Sequence, residues 1–417
     1  MGDLKAFIEG FVRRDGLSVF LSTFLIKFFG VILSVAVVRL LPVKEYGYIA
    51  FAMSVVGILR AFGGLGSNWS LLRFGPLLPS FYGKFKMFKY SITKGSFYTL
   101  GLILIIIFGS FFLPANLENS QPYLIILGIG ILFTFLFESL KSYFRIIGRN
   151  KIYSKANVVG AFILLILAIC LSYFFDGYGY VIAIVLAPLL SFLLYYKHVF
   201  FSKPLINQRP AKDFFSYGLF TGLGMIANQA TIMLGPILAG YLNASAEDIA
   251  LFKVATIIPF NLLIIPSMIM TTDFVHFSKN SRDPFVLNQY YFRYLKTISL
   301  ISVVPFLGLL YFNQEIISLM FGANYEPAST MSFILVVGVF FSFILRTPLG
   351  NMLAAVGKAN WNIYHTLFWL ILLVPGSIFA YEKWGIIGIA GAVSSVFVFS
   401  GFISLILFSY YLKTLKQ

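Results

Sequence analysis

Long apolar runs recur along the whole chain, from residue 17 to residue 411. A helix that crosses a hydrocarbon core of about 30 Å needs roughly 20 such residues. Because a bilayer offers no water to pair backbone groups, the runs are predicted to be helices. The predicted spans are residues 17–41, 46–68, 94–114, 122–143, 154–175, 178–196, 214–242, 247–275, 294–313, 327–349, 362–381 and 385–411. The sequence therefore predicts an all-α polytopic membrane protein with about 12 transmembrane helices.

The charged residues predict how these spans are oriented. Only 11% of the 417 residues are charged, against roughly 25% in a soluble domain. Lysine and arginine concentrate in alternate loops, whereas the intervening loops collect acidic residues. The positive-inside rule then places both termini and the basic loops in the cytoplasm. The same loops account for the net charge of +16, so no nucleic-acid partner is expected.

Several function classes find no support in the residues. The N-terminal stretch carries Arg13, Arg14 and Asp15 and no small-residue cleavage site, so the first span is expected to be retained. The single cysteine, Cys170, cannot form an internal disulfide. No Walker A motif, paired catalytic carboxylates or metal-ligand cluster is present in the sequence. We therefore expect no enzyme activity, catalytic residue, metal or cofactor, and transport energy from an ion gradient, the membrane potential or the substrate gradient.

A basic stretch near the middle predicts two halves. We expect an N-terminal lobe of six spans over residues 1–200, a cytoplasmic linker over 201–213 and a C-terminal lobe of six spans over 214–417. An even number of spans gives both lobes the same orientation, as in transporters with parallel repeats.

Weak internal similarity agrees with such a repeat. Glu45 and Glu247 occupy matching places after the first and seventh spans. The motif Gly148-Arg149-Asn150 follows the fourth span, and Gly357-Lys358-Ala359-Asn360 follows the tenth. Two packed bundles with a seam between them would suit transport by rocking of the halves.

Ionisable residues inside the spans are the candidate functional residues, because each costs about 2.5–3.5 kcal/mol to insert. Lys27 lies about 15 Å into the first span, where it faces a cavity or pairs locally with Glu138. Arg60, in the second span, has a planar fork that suits phosphate oxygens, although a structural ion pair is the alternative. Lys253, early in the eighth span, adds a cation or snorkels to the outer interface.

The remaining polar residues in the spans have more than one interpretation. Glu138 is expected to neutralise Lys27 or Arg60, with proton coupling as the alternative. Asn228 and Gln229 line a cavity or bond neighbouring helices. Positive charge without a buried metal or ATP site favours an anionic substrate, such as one carrying pyrophosphate or carboxylate groups.

Three features are interpreted structurally. Gly63, Gly64 and Gly66 break the second span or allow close packing, and close packing is favoured. Arg346, near the inner end of the tenth span, is interpreted as an orientation signal. His365, which opens the eleventh span, is interpreted as a structural histidine.

The N-terminal residues resemble a known family. The resemblance rests on the run Val38–Gly47, on Ala50-Phe51-Ala52, on Gly63–Gly66 and on Leu72–Gly75, and the turns after the fourth and tenth spans recur there too. These features resemble the polysaccharide-biosynthesis flippases of the multidrug/oligosaccharidyl-lipid/polysaccharide exporter superfamily. Length, span count and six-plus-six layout agree with that family over the whole chain.

This resemblance implies a V of two six-helix lobes around a central cavity, and the movement of undecaprenyl-pyrophosphate-linked oligosaccharide across the bacterial inner membrane. Lys27 and Arg60 fall where related lipid II flippases carry basic residues facing the cavity, and Lys253 is a looser match. The absence of further helices beyond twelve favours an O-antigen or capsule repeat unit. The implied partners are the lipid-linked substrate, membrane lipids, and polysaccharide polymerase and chain-length proteins.

Two other functions remain open from the sequence. A multidrug or organic-cation antiporter of the same superfamily needs a buried acid in the first lobe, where this chain has Lys27. A membrane scaffold or acyltransferase is the third possibility, and an acyltransferase needs a buried catalytic histidine. The histidines are His198, His276 and His365, and the first two lie in or beside basic loops.

Overall fold

The architecture comes from a computed structural model that describes residues 16–199 and 213–415. These residues form helices joined by short turns, with no strand among them. The chain folds into two compact units, Met1–Ile226 and Ala227–Gln417, which we term unit 1 and unit 2. The boundary lies inside a helix, so one helix begins in unit 1 and ends in unit 2.

The described part of unit 1 contains six complete helices and the start of a seventh. They are α1 (Gly16–Leu40), α2 (Val43–Leu59), α3 (Ser67–Phe74), α4 (Phe81–Ser110), α5 (Gln121–Ile146), α6 (Asn150–Tyr196) and the first part of α7 (Phe214–Tyr241). Short 3-10 turns separate α2 from α3 and precede α5. Helix α1 packs along α6, and α5 packs between α4 and α6.

The described part of unit 2 continues α7 and adds seven helices. They are α8 (Ala246–Leu262), α9 (Ile264–Lys279), α10 (Pro284–Tyr311), α11 (Asn313–Phe321), α12 (Ala328–Phe341), α13 (Thr347–Ala355) and α14 (Ala359–Thr414). A π-helical turn, Ser342–Arg346, joins α12 to α13 without a loop. Helix α12 packs against α8 and α14.

The described helices agree with the predicted spans. Nine of their segments are long and apolar enough to cross a membrane. Two of these, α6 and α14, have double length, and they break at Phe175–Asp176 and at Gly385. Counting each double helix as two spans gives eleven, and the 28-residue α7 is the twelfth span that the apolar runs predict. The prediction of an all-α polytopic membrane protein is confirmed.

Some helices extend beyond the apolar runs. Helix α4 begins at Phe81, where Ser80 Oγ accepts a hydrogen bond of 3.0 Å from Gly83 N. The predicted start was residue 94, so Lys84 and Lys89 lie on a helix rather than in a loop. Lysine is a good helix former, and nothing requires a helix to end where the hydrocarbon ends. A hydropathy pattern therefore locates the apolar part of the helix and not its first residue.

The breaks in α6 and α14 have the same backbone geometry. Asp176 has φ 49° and ψ −132°, and Gly385 has φ 59° and ψ −146°. Three residues later come Gly179 and Gly388, and an added Cβ there would strike the carbonyl group of the residue eight positions earlier in both helices. The two double helices therefore fold back on themselves by the same hairpin.

The turns that precede α6 and α14 also match. Gly148 N donates to Arg145 O at 3.0 Å, and Gly357 N donates to Ala354 O at 3.2 Å. The next residue closes a 2.8 Å bond to a carbonyl five positions back in each turn. Gly148 and Gly357 lie 209 residues apart, as do Asp176 and Gly385. The repeat predicted from the sequence is thus accompanied by matching turn geometry at a constant spacing.

The start of α7 belongs to the core of unit 1. Phe214 is buried, and its ring centroid lies 6.2 Å from that of Phe74 and 5.9 Å from that of Tyr90. Tyr98 contacts Phe215 with a centroid distance of 5.1 Å. These aromatic contacts hold the beginning of α7 against α3 and α4.

Candidate functional site

The second apolar span is interrupted by a helix break. The segment Val43–Leu77 is long and apolar enough to cross a membrane, yet α2 ends at Leu59. Gly64, Leu65 and Gly66 have φ values of 60°, 49° and 67°. A left-handed conformation costs little at glycine and more at leucine. The glycine cluster therefore does break the helix, which was the less favoured of the two interpretations of its sequence.

Helix α7 covers this break by backbone contact. An added Cβ on Gly66 would strike the carbonyl of Gly218, and one on Gly222 would lie 3.1 Å from Ala61 O. Gly218 and Gly222 are four residues apart, so they face the break from one side of α7. The predicted close packing is thus also present, between glycines of two helices.

Helices α4 and α5 cover the other side of the break. Gly64 N donates a hydrogen bond of 2.8 Å to Thr99 Oγ1. Phe135 of α5 packs so closely that its ring occupies the place of a Cβ on Gly64. Non-helical backbone at membrane depth is tolerated only when protein buries it or when it lines a water-filled cavity. The helix break in unit 1 is therefore packed against α4, α5 and α7 and stabilised by a hydrogen bond.

Arg60 is the first residue after α2, and its side chain is exposed. The C-terminal end of a helix carries a partial negative charge, which favours a cation there. Among the residues that the structure describes, nothing hydrogen-bonds or ion-pairs with the guanidinium group. Arg60 is therefore an arginine without an acidic partner at a helix break within an apolar segment. Its planar guanidinium group can bind an anion there.

Lys27 is a further cation of unit 1 that has no acidic partner among the described residues. It lies in the apolar segment Leu21–Leu40 of α1, and its side chain is exposed. Two residues on, Phe29 contacts Phe162 of α6 with a centroid distance of 5.9 Å. Within the described part of the chain, Lys27 has neither a hydrogen-bond nor an ion-pair partner, and no contact joins it to Arg60.

Glu138 has a partner other than the predicted ones. Lys141 Nζ donates hydrogen bonds of 2.8 Å to Glu138 Oε1 and to Asn157 Oδ1. The same ammonium group lies 4.8 Å from the centroid of the Phe137 ring. The lysine side chain is 11% exposed and the glutamate side chain 46%. The predicted partnership with Lys27 or Arg60 is corrected, because a residue three positions along the same helix is a closer neighbour.

The cation predicted in unit 2, Lys253, lies on α8 and is half-buried. No acidic side chain of residues 213–415, as far as they are described, lies within ion-pair distance of it. Gln229 of α7 is exposed, and the side chain of Asn228 lies outside the described residues. Among the predicted site residues of unit 2, Lys253 is therefore a lysine without an acidic partner in the described part of the chain.

One polar cluster was not anticipated from the sequence. Glu45 Oε1, at the start of α2, accepts hydrogen bonds from Tyr123 Oη at 2.7 Å and from Gly177 N at 3.1 Å. It ties α2 to α5 and to the break of α6. The sequence match of Glu45 with Glu247 does not indicate this cluster, and no local pattern relates Glu45 to residues so distant in the chain.

Comparison with known proteins identifies the family. Residues 36–330 match the family described as polysaccharide biosynthesis protein. The chain belongs to this family. Membership of the polysaccharide-biosynthesis flippases was expected from the resemblance of the N-terminal residues, and this expectation is confirmed.

A curated relative of this polysaccharide biosynthesis protein is the teichuronic acid biosynthesis protein TuaB of Bacillus subtilis strain 168. The two are 26% identical over 215 residues, which cover 50% of this chain and 43% of the relative. The match therefore spans less than half of that protein.

Solved structures of transporters share the fold. The lipid II flippase MurJ in an inward closed conformation matches with a TM-score of 0.75 and 17% identity, over 93% of this chain and 87% of that one. An inward-facing multidrug resistance MATE family transporter of the MOP superfamily matches with a TM-score of 0.74 and 14% identity, over 94% and 95%. A MOP superfamily transporter from Pyrococcus furiosus matches with a TM-score of 0.63 and 14% identity, over 97% and 96%.

Family and fold together support a transporter or flippase rather than a catalytic enzyme. They also support a multi-pass membrane protein. Among the described residues, no three His, Cys, Asp or Glu side chains are grouped so that they could hold a metal ion.

Proposed function

We propose that this polysaccharide biosynthesis protein moves oligosaccharide repeat units, linked to undecaprenyl pyrophosphate, across the bacterial inner membrane. The observation that carries the proposal is that two cations away from the ends of the apolar segments of unit 1, Lys27 and Arg60, have no acidic partner among the described residues. A cation inside a span is costly unless it faces water or a ligand. The pyrophosphate of a lipid carrier supplies such a ligand, because guanidinium and ammonium groups bind its oxygens through charge-assisted hydrogen bonds.

The mechanism is alternating access between two six-helix lobes, residues 1–200 and 214–417, around a central cavity. Both termini and the basic loops lie in the cytoplasm, where the substrate enters. Lys27 and Arg60 hold the pyrophosphate, with Lys253 as a further cation. The glycan occupies the cavity beside Asn228 and Gln229, and the polyprenyl tail remains in lipid.

Three findings support this proposal. The family is one of polysaccharide biosynthesis. The relative TuaB is named for teichuronic acid biosynthesis, and MurJ, which shares the fold, is named a lipid II flippase. Glu138, which a cation antiporter could have used in the first lobe, is bound to Lys141. O-antigen or capsule units are the substrates that we favour, and a polymerase and chain-length proteins would be the partners that use them.

The proposal is tested by charge removal in cells. Lys27→Ala and Arg60→Ala are each expected to abolish surface polysaccharide while the protein still inserts in the membrane at the normal level. Lys253→Ala is expected to reduce it. The matched controls are Lys44→Ala and Arg73→Ala, which remove exposed cations near the two ends of the segment Val43–Leu77 that contains Arg60 and should leave surface polysaccharide unchanged.

Normal polysaccharide in both the Lys27 and the Arg60 variants would overturn the assignment. Resistance to cationic dyes on overexpression, with no effect on polysaccharide, would instead indicate a multidrug antiporter. Quantitative immunoblotting of membranes, alongside the polysaccharide assay, separates loss of transport from loss of protein.

A further inference from the structure

The two ends of α14 lie side by side and form an aromatic groove within unit 2. The helix reverses at Gly385, which separates a first arm, residues 359–384, from a second arm, residues 386–414. The rings of Trp361 and Tyr410, one from each arm, have a centroid distance of 5.9 Å. A groove of about 450 Å³ lies between the arms, and its lining includes Trp361, Tyr364, Phe368, Ile403, Leu407 and Tyr410. This volume is within the range of about 300–1,000 Å³ that ligand pockets occupy.

The position of the groove along α14 places it in one leaflet of the bilayer. Tyr364, Phe368 and Tyr410 are exposed on the surface of unit 2. From Trp361 to Phe368 the groove follows the helix for about 10 Å, which is less than the depth of about 15 Å of half a hydrocarbon core. Tryptophan and tyrosine are enriched where the hydrocarbon meets the lipid headgroups. The groove therefore begins at headgroup level and continues among the lipid tails.

The headgroup end of the groove is basic. Lys358 Nζ lies 5.1 Å from the centroid of the Trp361 ring, which lines the groove. Lys413 follows Tyr410 by three residues, a spacing that places both on one side of the helix. Across the described side chains, no carboxylate lies at ion-pair distance from either lysine. The basic turns are predicted to face the cytoplasm, whose leaflet is the one that carries anionic lipids.

We propose that this groove binds an anionic phospholipid of the bilayer, with an acyl chain along the aromatic lining and the phosphate beside Lys358. Lipid tails are as apolar as the groove, so packing alone does not select one lipid from another. The headgroup makes the selection, because a lysine without an acidic partner attracts a net negative charge that phosphatidylglycerol has and phosphatidylcholine lacks. The site contains none of the residues of the proposed function and does not rest on it.

The opposite end of the same hairpin provides an internal comparison. A groove of about 540 Å³ lies there, lined by Trp384 and by several small residues. Lys383 Nζ lies 4.4 Å from the centroid of the Phe379 ring, so this groove also has a lysine in aromatic contact near it. Glu382 directly precedes that lysine, and the two charges cancel. The second groove is therefore expected to accept lipid without a preference for an anionic headgroup.

The test uses the purified full-length protein, reconstituted in phosphatidylcholine vesicles with one tryptophan retained. The chain has 4 tryptophans. Trp69→Phe, Trp369→Phe and Trp384→Phe leave Trp361 as the reporter of the proposed site. A second protein, with W69F, W361F and W369F, keeps Trp384 as the reporter of the opposite end. Phosphatidylglycerol or phosphatidylcholine with brominated acyl chains is added, because bromine quenches a tryptophan that it contacts, and fluorescence is compared with that of the same protein in unbrominated lipid.

The expected result is a headgroup preference at one end of the hairpin. Brominated phosphatidylglycerol should quench Trp361 at a mole fraction about fivefold lower than brominated phosphatidylcholine, as expected for one basic residue beside a lipid phosphate. Lys358→Gln should remove most of this preference, whereas Lys383→Gln, the matched control, should leave it unchanged. Trp384 should respond almost equally to the two lipids. Ile403→Phe narrows the groove and should reduce quenching of Trp361 by both lipids. Melting midpoints report whether each variant is folded.

Four results would overturn the proposal. Equal quenching of Trp361 by the two lipids would show that the groove does not select the headgroup, and an equal preference at Trp384 would show general adsorption of anionic lipid. Absence of quenching by either lipid would mean that protein, such as a second copy of the chain, covers the groove. Displacement of brominated phosphatidylglycerol by a far smaller mole fraction of polyprenyl phosphate would make the carrier lipid the occupant. The proposed function would survive each result, since it is measured in cells through Lys27 and Arg60.

Discussion

The two units treat charge differently in the helical segments that precede their matching turns. The spacing of 209 residues that relates the breaks and the turns aligns Arg346 with Phe137 in the sequence, and Lys141 with Gly350, so neither cation has a counterpart in the other unit. In unit 1 the cation Lys141 is bonded to a glutamate and to an asparagine. In unit 2 the cation Arg346 contacts a phenylalanine ring.

This difference shows that a repeated backbone fold does not determine the electrostatics of its side chains. The backbone of each hairpin is set by glycines, breaks and turn hydrogen bonds that both units share. The electrostatics depend on single side chains, which can differ without disturbing that backbone. A neutralised pair stabilises its helix, whereas an unneutralised cation is available to a ligand. The comparison therefore assigns a structural role to Lys141, whereas Arg346 has an aromatic contact and no carboxylate partner among the described residues.

The largest expected effect tests whether the two hairpins are equivalent. Gly179→Ala and Gly388→Ala each place a Cβ against a backbone carbonyl, of Leu171 and of Ala380. Overpacking against backbone costs about 3 kcal/mol, so both variants should accumulate poorly in membranes and melt early. Gly101→Ala and Gly376→Ala, where nothing lies within 4 Å of the new Cβ, are the controls. A loss in one unit only would refute equivalent hairpins.

An intermediate effect tests the charge comparison itself. Lys141→Met removes two charge-assisted hydrogen bonds and leaves Glu138 unpaired, which is expected to cost about 2 kcal/mol of stability. Arg346→Met removes a cation without a carboxylate, so the free energy of unfolding should stay the same or rise. Thermal unfolding of both variants in the same detergent measures the difference. Equal losses would mean that Arg346 has an ionic partner after all.

The smallest expected effect comes from exchanging the residues at the two breaks. Asp176 adopts at φ 49° a conformation that Gly385 adopts at 59°, and strain of this kind costs on the order of 1 kcal/mol at a residue with a side chain. Asp176→Gly should therefore raise the melting midpoint slightly, and Gly385→Asp should lower it. If both exchanges lower the melting midpoint, the Asp176 side chain stabilises the break by more than its backbone strain costs.

The comparison also marks the limits of prediction from the sequence. The ends of α5 and α7 were predicted to within three residues, because apolar length is a local property. The partner of Glu138 was predicted wrongly although Lys141 stands three positions away, a spacing that signals contact on a helix. The contact of Arg346 with Phe397 had no such signal, since the two residues lie on different helical segments and meet only when α14 packs against the π-helical turn.

The sequence by itself determined the membrane fold, the span positions and the identity of the charged residues in the spans. Transfer of apolar side chains to lipid adds residue by residue, so a linear pattern is enough to predict it. Only the tertiary structure decided where α2 breaks and which cations are neutralised. Those properties depend on distances between helices, and no single segment of the chain contains that information.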